Sequence, residues 1–197
     1  MSALITTVTP VAEILLFHHA QGLTPGIHAF ADELRAAGHT VHVPDLYDGL
    51  TFDDLDAGVA HMESIGPEAT IARGTAIASE LPSELVYAGF SMGAMPAQSL
   101  AQQRPGARGA VLLHSAIPLR YFGGSWPDGV PLQIHTVEKD DWGDVDVARE
   151  VVAEIPSAEL FTYPGTAHLV TDRSLPVYDP EVATLVMQRV LAFLAQA

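Results

Sequence analysis

The feature that most limits the fold of this chain is a regular alternation of short apolar runs with longer amphipathic segments. Most of the short runs are continuously apolar, which is typical of strands that are buried on both faces. We predict strands at Glu13–Phe17, Thr40–Val43, Leu85–Ala88, Ala110–His114, Leu132–Val137 and Glu159–Tyr163. Helices are predicted between them at Thr24–Ala37, from Pro67, at Met92–Gln103, at Asp144–Glu154 and from Asp179. This order predicts an α/β fold, with a mostly parallel sheet of about six to seven strands, helices on both faces and no lid domain.

Composition and charge exclude several classes of protein. A chain of 197 residues suits one domain, which we predict to span 1–197. Nine Lys and Arg against 24 Asp and Glu give a formal net charge of −15, which disfavours binding to nucleic acid or to an anionic membrane. The absence of Cys excludes disulfides and thiolate chemistry. No apolar stretch reaches the ~18 residues of a membrane span, and no signal sequence is evident, so a soluble cytoplasmic protein is expected.

A candidate nucleophile, Ser91, lies in the segment Gly89–Gly93, which has the pattern G-x-S-x-G. The segment follows a predicted strand and precedes a predicted helix, which is the setting of a nucleophile elbow. Glycines suit such a sharp turn because neighbours with a Cβ would collide. The alternative interpretation is a glycine-rich turn with a helix-capping serine.

A base and an acid are expected at the same edge of the sheet, because the carboxyl ends of parallel strands carry the chemistry in such folds. Among the nine histidines, His168 is the candidate base, since it follows the last predicted strand by a short turn. The acid is expected after Leu132–Val137, where Asp140 and Asp141 are both candidates. The order serine, aspartate, histidine is that of α/β-hydrolases.

Two backbone N–H groups are candidates for an oxyanion hole. The N–H of Met92 follows the nucleophile at a helix N-terminus, where negative charge is stabilised. The second is expected near Ala20, in the loop after the first strand. His18 and His19 lie in the same loop, but adjacent residues on an extended chain point apart and no carboxylate has convincing ligand spacing. We therefore predict no metal and no cofactor, and expect His19 to line or protonate the site.

The chain resembles the dienelactone hydrolase family of α/β-hydrolases from Ile14 to the C-terminus. The resemblance is carried by Gln21–Gly38, Val43–Tyr47, Gly89–Gly93, Glu138–Asp140, Tyr163–His168 and Ser174–Asp179. It implies an α/β-hydrolase fold, and it selects Asp140 over Asp141 as the acid.

Several positions depart from the pattern of that family. Ser91 stands where the type member of the family has a cysteine nucleophile. His19 occupies the position of a family glutamate, and Asp172, with Arg173 beside it, falls near a substrate-binding arginine of the family. These departures weaken the expectation of a dienelactone as the substrate. They leave intact a Ser-His-Asp set, which is complete for cleaving esters.

Together these observations predict a serine hydrolase that cleaves a small-molecule ester or lactone through Ser91, His168 and Asp140. The three residues do not distinguish an ester from a lactone or a thioester. We expect a small apolar substrate pocket, in part from the loop Pro118–Pro131, with the lining residues His19, Tyr121, Trp126 and Trp142. For the aromatic residues, ordinary packing at the sheet edge is the alternative. A non-catalytic relative that binds a small molecule or a partner is the alternative function.

Overall fold

The structure, a computed structural model, describes residues 11–197. The described part contains a six-stranded sheet in the order β2-β1-β3-β4-β5-β6, in which every neighbouring pair is parallel. The strands are β1 (Glu13–Phe17), β2 (Thr40–His42), β3 (Val86–Phe90), β4 (Gly109–Leu113), β5 (Leu132–Val137) and β6 (Ala158–Tyr163). The helices are α1 (Pro25–Ala36), α2 (Leu55–Ile65), α3 (Pro67–Ser79), α4 (Ala94–Gln103), α5 (Val145–Glu154) and α6 (Pro180–Leu194).

The core consists of two apolar layers, one on each face of the sheet. Along β1, Ile14 and Leu16 point into one layer, whereas Leu15 and Phe17 point into the other. Helices α1 and α6 cover the first layer, and α2 to α5 cover the second. Because both faces of the central strands are buried, the strands have to be apolar at consecutive positions. The predicted α/β fold, with helices on both faces, is confirmed.

The ends of the elements differ from the predictions by short distances, and one helix was missed. Strand β3 continues to Phe90, so that the serine of the G-x-S-x-G segment begins a short 3-10 turn, Ser91–Gly93, ahead of α4. Helix α2 was not predicted. Its signals were an N-cap, Asp54, whose side chain accepts a hydrogen bond from the Ala57 N–H at 2.7 Å, and apolar residues at helical spacing after it.

The parallel sheet places the loops after all six strands at one edge. The segments that follow β1, β3, β4, β5 and β6 bring His18, Ser91, His114, Asp140 and His168 to this edge. No helix among residues 11–197 combines the length and the apolar character needed to cross a bilayer.

Candidate active site

Ser91 is presented on a sharp turn between β3 and α4. Its backbone φ is +49°, in the left-handed region that a residue with a side chain seldom adopts. A Cβ on Gly89 would lie 2.1 Å from the Gly93 carbonyl oxygen, and a Cβ on Gly93 would lie 2.6 Å from the Phe17 and His18 carbonyl oxygens. Neither position therefore accepts a larger residue without backbone movement. This turn holds the Ser91 side chain above the sheet edge, as the elbow interpretation predicts.

A chain of hydrogen bonds links Ser91 to His168 and Asp140. Nδ1 of His168 lies 2.6 Å from Oδ2 of Asp140, and Nε2 of His168 lies 2.7 Å from Oγ of Ser91. Since a carboxylate can only accept, His168 donates through Nδ1–H, and its bare Nε2 accepts the Ser91 hydroxyl proton. Asp140 is buried, whereas Asp141 is exposed. The backbone N–H of Trp142 donates to the other Asp140 oxygen, Oδ1, at 3.0 Å.

His18 is a structural residue of the loop after β1. Its side chain is fully buried; Nδ1–H donates to the His19 carbonyl at 2.8 Å, and Nε2 accepts from the Leu46 N–H at 2.9 Å. Burial lowers the pKa of His18 to about 4, so the ring is neutral near pH 7. His18 thereby ties the loop after β1 to the segment after β2.

His19 forms a buried pair with Asp172. Its Nδ1 accepts from the Gln21 N–H at 3.2 Å, which makes Nε2–H the donor to Asp172 Oδ2 at 2.8 Å. Asp172 also accepts from Oγ1 of Thr24 at 2.5 Å and from N and Oγ of Ser174 at 2.8 and 2.6 Å. Burial alone would raise the pKa of Asp172, but the hydrogen bonds outweigh it and lower the pKa to about 2. With 0 % of its side chain exposed, His19 is placed to position its loop and not to contact a substrate in this conformation.

The loop that contains Ala20 is held from three sides. The Ala20 carbonyl packs against α2, where a Cβ on Gly58 would lie 2.4 Å from the Ala20 oxygen. The side chains of His18 and His19 anchor this loop to the segment after β2 and to the segment after β6. Met92 is likewise buried, and its sulfur accepts from the Tyr47 hydroxyl at 2.9 Å. Both segments that carry the predicted oxyanion donors are thus rigidly packed.

His114, which the sequence analysis did not select as a site residue, also lies beside His168. His114 follows β4 with a φ of +64°, and its Nε2 is 2.7 Å from Oγ1 of Thr171. Its ring centroid is 5.7 Å from that of His168. Burial, and then the neighbouring histidines, hold the pKa of His114 well below its usual range, so it is neutral. Its position directly after a strand at the active edge was the signal that could have identified it.

His114, Asp140 and His168 also have the right types of atom for a metal. One donor atom from each lies within 4.8 Å of the other two. However, both ring nitrogens of His168 already make hydrogen bonds, to Asp140 and to Ser91. A metal on Nδ1 would have to replace the proton, and a metal on Nε2 would have to displace the Ser91 hydroxyl, so the arrangement fits a hydrogen-bonded catalytic triad better than a metal site.

Comparisons with known proteins identify the family of the chain. The sequence model of the dienelactone hydrolase family matches residues 2–197. The chain belongs to the dienelactone hydrolase family. No curated protein matches its sequence at a significant level. This family member is a hydrolase that acts on esters.

Solved structures similar to this family member share its fold at low sequence identity. A protein assigned as a dienelactone hydrolase from Klebsiella pneumoniae subsp. pneumoniae MGH 78578 has a TM-score of 0.74 and 18 % identity, covering 98 % of this chain and 90 % of its own. A dienelactone hydrolase-like promiscuous phosphotriesterase from metagenomic libraries has a TM-score of 0.71 and 16 % identity, and the match covers 97 % of this chain and 88 % of that protein. A dienelactone hydrolase from Anabaena variabilis ATCC 29413 has a TM-score of 0.67 and 18 % identity, and the match covers 92 % of this chain and 84 % of that protein. These similarities confirm the α/β-hydrolase fold.

A cavity of about 340 Å³ opens beside His168 in this family member. Its walls come from the loop after β1, the start of α2, the turn after β5 and the segment after β6. Trp142 lines it, with 49 % of the residue exposed. The cavity also reaches Leu175 and Val177, which supply apolar surface.

Tyr121 and Trp126, which the sequence analysis placed at the substrate pocket, do not line this cavity. The loop after β4 runs alongside α4, where the Gln102 side chain donates to the Leu119 and Ser125 carbonyls at 3.2 and 3.0 Å. Gln102 lies eight residues into α4, so this contact is about 12 Å from the helix start next to Ser91. Trp126 donates to the Val130 carbonyl at 2.8 Å, ahead of β5 and therefore at the opposite edge of the sheet. The direction of α4 carries both aromatic residues away from His168.

Proposed function

We propose that this family member is a serine hydrolase that cleaves a small ester or lactone through Ser91, His168 and Asp140. The observation that carries the proposal is the continuous chain of two hydrogen bonds, 2.7 and 2.6 Å long, from the Ser91 hydroxyl to the Asp140 carboxylate. A serine hydroxyl is a poor nucleophile on its own, and a neutral imidazole in contact with it supplies the base that it needs.

The first half of the reaction forms an acyl-enzyme. As Ser91 Oγ bonds to the substrate carbonyl carbon, its proton moves to Nε2 of His168, and the carbonyl electron pair moves onto oxygen. When the tetrahedral intermediate collapses, the bond to the leaving alcohol oxygen breaks, and that oxygen takes the proton from Nε2. In a lactone the released hydroxyl remains attached to the acyl group. His168 thus acts first as base and then as acid.

The second half of the reaction releases the acyl group. Water attacks the Ser91 ester while Nε2 of His168 takes a proton from it. Collapse of this intermediate breaks the bond to Ser91 Oγ, which recovers the proton, and a carboxylic acid leaves. No electrons are gained or lost, so the cycle needs no cofactor.

Asp140 and two backbone N–H groups support these steps. The buried carboxylate of Asp140 keeps the proton of His168 on Nδ1 and stabilises the imidazolium that forms in each half-reaction. The N–H groups of Met92 and Ala20 are our candidates to hold the developing oxyanion. Met92 stands at the N-terminal end of the turn that leads into α4, where backbone donors and the helix dipole favour negative charge.

The proposal is tested by labelling with a fluorophosphonate probe and by hydrolysis of p-nitrophenyl acetate. Wild-type protein is expected to be labelled on the peptide that contains Ser91, and Ser91→Ala is expected to lose both the label and at least ~10³-fold in rate. Ser79→Ala, at an exposed position of α3, is the matched control and should keep both. A folded wild-type protein that takes no label and matches the buffer blank would favour the non-catalytic alternative.

A further inference from the structure

The cavity beside His168 is lined by three aspartates, Asp53, Asp54 and Asp141. We propose that it selects for esters that carry an organic cation and against esters that carry a carboxylate. The inference rests on the proposed function, because the charge of the cavity matters to catalysis only if the ester group is cleaved at Ser91. It adds the chemical class of substrate, which Ser91, His168 and Asp140 do not specify.

Among residues 11–197, the Asp, Glu, Lys and Arg side chains that line this cavity are all carboxylates. Asp53 and Asp54 approach it from the start of α2, and Asp141 approaches it from the turn after β5. No Lys or Arg of the described residues is among the residues that line it. A carboxylate-bearing substrate would therefore enter against like charges and find no partner to bind it.

Two basic residues, Lys139 and Arg173, are close in sequence to residues that line the cavity, but neither of them lines it. Arg173 follows Asp172, but its guanidinium makes an ion pair with Glu33 on α1. Both of those residues line a different cavity. Lys139 precedes Asp140; its backbone N–H donates to the Gly165 carbonyl at 3.2 Å, and it does not line the cavity beside His168.

The remaining walls suit an organic cation better than a hydrated metal ion. Trp142 offers an exposed indole next to Asp141, and indole rings attract ammonium groups through their π face. Leu175 and Val177 add apolar surface, which would contact the alkyl groups of a substituted ammonium ion. A cavity of about 340 Å³ is large enough for a small ester.

The electrostatic field of the whole protein also favours cationic substrates over anionic ones. With a formal net charge of −15, the surface concentrates small cations and repels small anions, and salt screens this effect over about 8 to 10 Å. A preference that comes from the cavity and one that comes from the overall charge can be separated, because only the first depends on which carboxylates are removed.

The test uses three phenyl acetates that differ in one meta substituent: trimethylammonio, tert-butyl and carboxylate. Their kcat/KM values are measured from phenol release at low salt and at 0.5 M NaCl, each divided by the rate of hydroxide-catalysed hydrolysis to remove leaving-group effects. We expect the cationic ester to exceed the anionic ester by about 10-fold or more at low salt, and the ratio to shrink at high salt.

Two sets of variants locate the source of the preference. Asp53→Asn combined with Asp141→Asn should lower the cation-to-anion ratio at least about threefold. Asp128→Asn combined with Asp146→Asn removes the same charge at exposed positions that do not line the cavity, and should leave the ratio within about 1.5-fold of wild type. Equal changes in both sets would assign the preference to the overall charge and overturn the role of the cavity.

The outcomes separate this inference from the proposed function. Turnover of all three esters at similar normalised rates, or a preference for the carboxylate ester, overturns the substrate class and leaves the serine hydrolase intact. No turnover of any ester, together with no fluorophosphonate label, overturns both. Faster turnover of the cationic ester that is lost only in the cavity variant supports both.

Discussion

Replacement of Asp172 by Asn tests the buried pair that joins the loop after β1 to the segment after β6. The change keeps the volume of the side chain and removes its charge. It also places an amide NH₂ among groups that now donate to the carboxylate, namely His19, Thr24 and Ser174. An amide oxygen accepts at most two hydrogen bonds, so at least two of these buried donors lose their acceptor, and Asp172→Asn should lower the free energy of unfolding by about 2 to 5 kcal/mol at pH 7.

The dependence of this loss on pH follows from the pKa of Asp172. Folding lowers that pKa from 3.8 to about 2, so ionised Asp172 stabilises the fold by about 2 kcal/mol above pH 5. As the pH falls, this contribution decreases to about half at pH 3 and is nearly lost by pH 2. The Asn side chain does not titrate, so the gap between the two proteins should narrow by about 1 kcal/mol from pH 7 to pH 3.

The measurement is urea unfolding of wild type and Asp172→Asn at pH 7, 5, 4 and 3, followed by tryptophan fluorescence and far-UV circular dichroism. Asp128→Asn is the matched control, because Asp128 is exposed and lies in a turn outside the helices and strands. It should change the free energy of unfolding by less than about 0.5 kcal/mol at every pH. A loss below about 1 kcal/mol at pH 7 in Asp172→Asn, or a gap that stays constant down to pH 3, would refute the pair as a stabilising element.

Three further substitutions test the packing around the sheet. Gly93→Ala should reduce both kcat and the free energy of unfolding, because its Cβ would lie 2.6 Å from two carbonyl oxygens after β1; kinetics and urea unfolding measure the two effects, and a wild-type kcat would contradict the turn geometry. Leu112→Ala, at a fully buried position of β4, should cost about 2 to 5 kcal/mol in urea unfolding. Arg189 lies 4.2 Å from the centre of the Phe161 ring and donates to the Tyr163 hydroxyl at 2.9 Å. Arg189→Ala should therefore cost about 1 kcal/mol, with partial recovery in Arg189→Lys.

The position of the proposed catalytic residues was predictable because it follows from local patterns. Gly89 and Gly93 mark a turn that only glycine fits, and this turn fixes Ser91 between a strand and a helix. Asp140 and His168 follow β5 and β6 by short turns, so the rule for parallel sheets places them at the same edge as Ser91. The choice between Asp140 and Asp141 needed the family resemblance, since both follow the same strand.

The lining of the cavity was only partly predictable from the sequence. Trp142 lies there because it is two residues from Asp140, and its backbone donates to that carboxylate. Tyr121 and Trp126 belong to the long loop between β4 and β5, and sequence reasoning gave no direction for that loop. Hydrogen bonds from Gln102 draw it along α4 and away from His168. A loop's path depends on such contacts more than on its own composition.

By itself the sequence determined the succession of strands along the chain and all helices but α2, the elbow at Ser91 and the side of the sheet on which the chemistry lies, because hydrophobic periodicity and glycine requirements act over a few neighbouring residues. Only the tertiary structure decided that His19 and Asp172, 153 residues apart, form a buried pair, that His114 lies against His168, and that three carboxylates line the cavity. These contacts join segments that are distant in the chain, and their energies come from burial and from hydrogen bonds that exist only once the sheet has assembled.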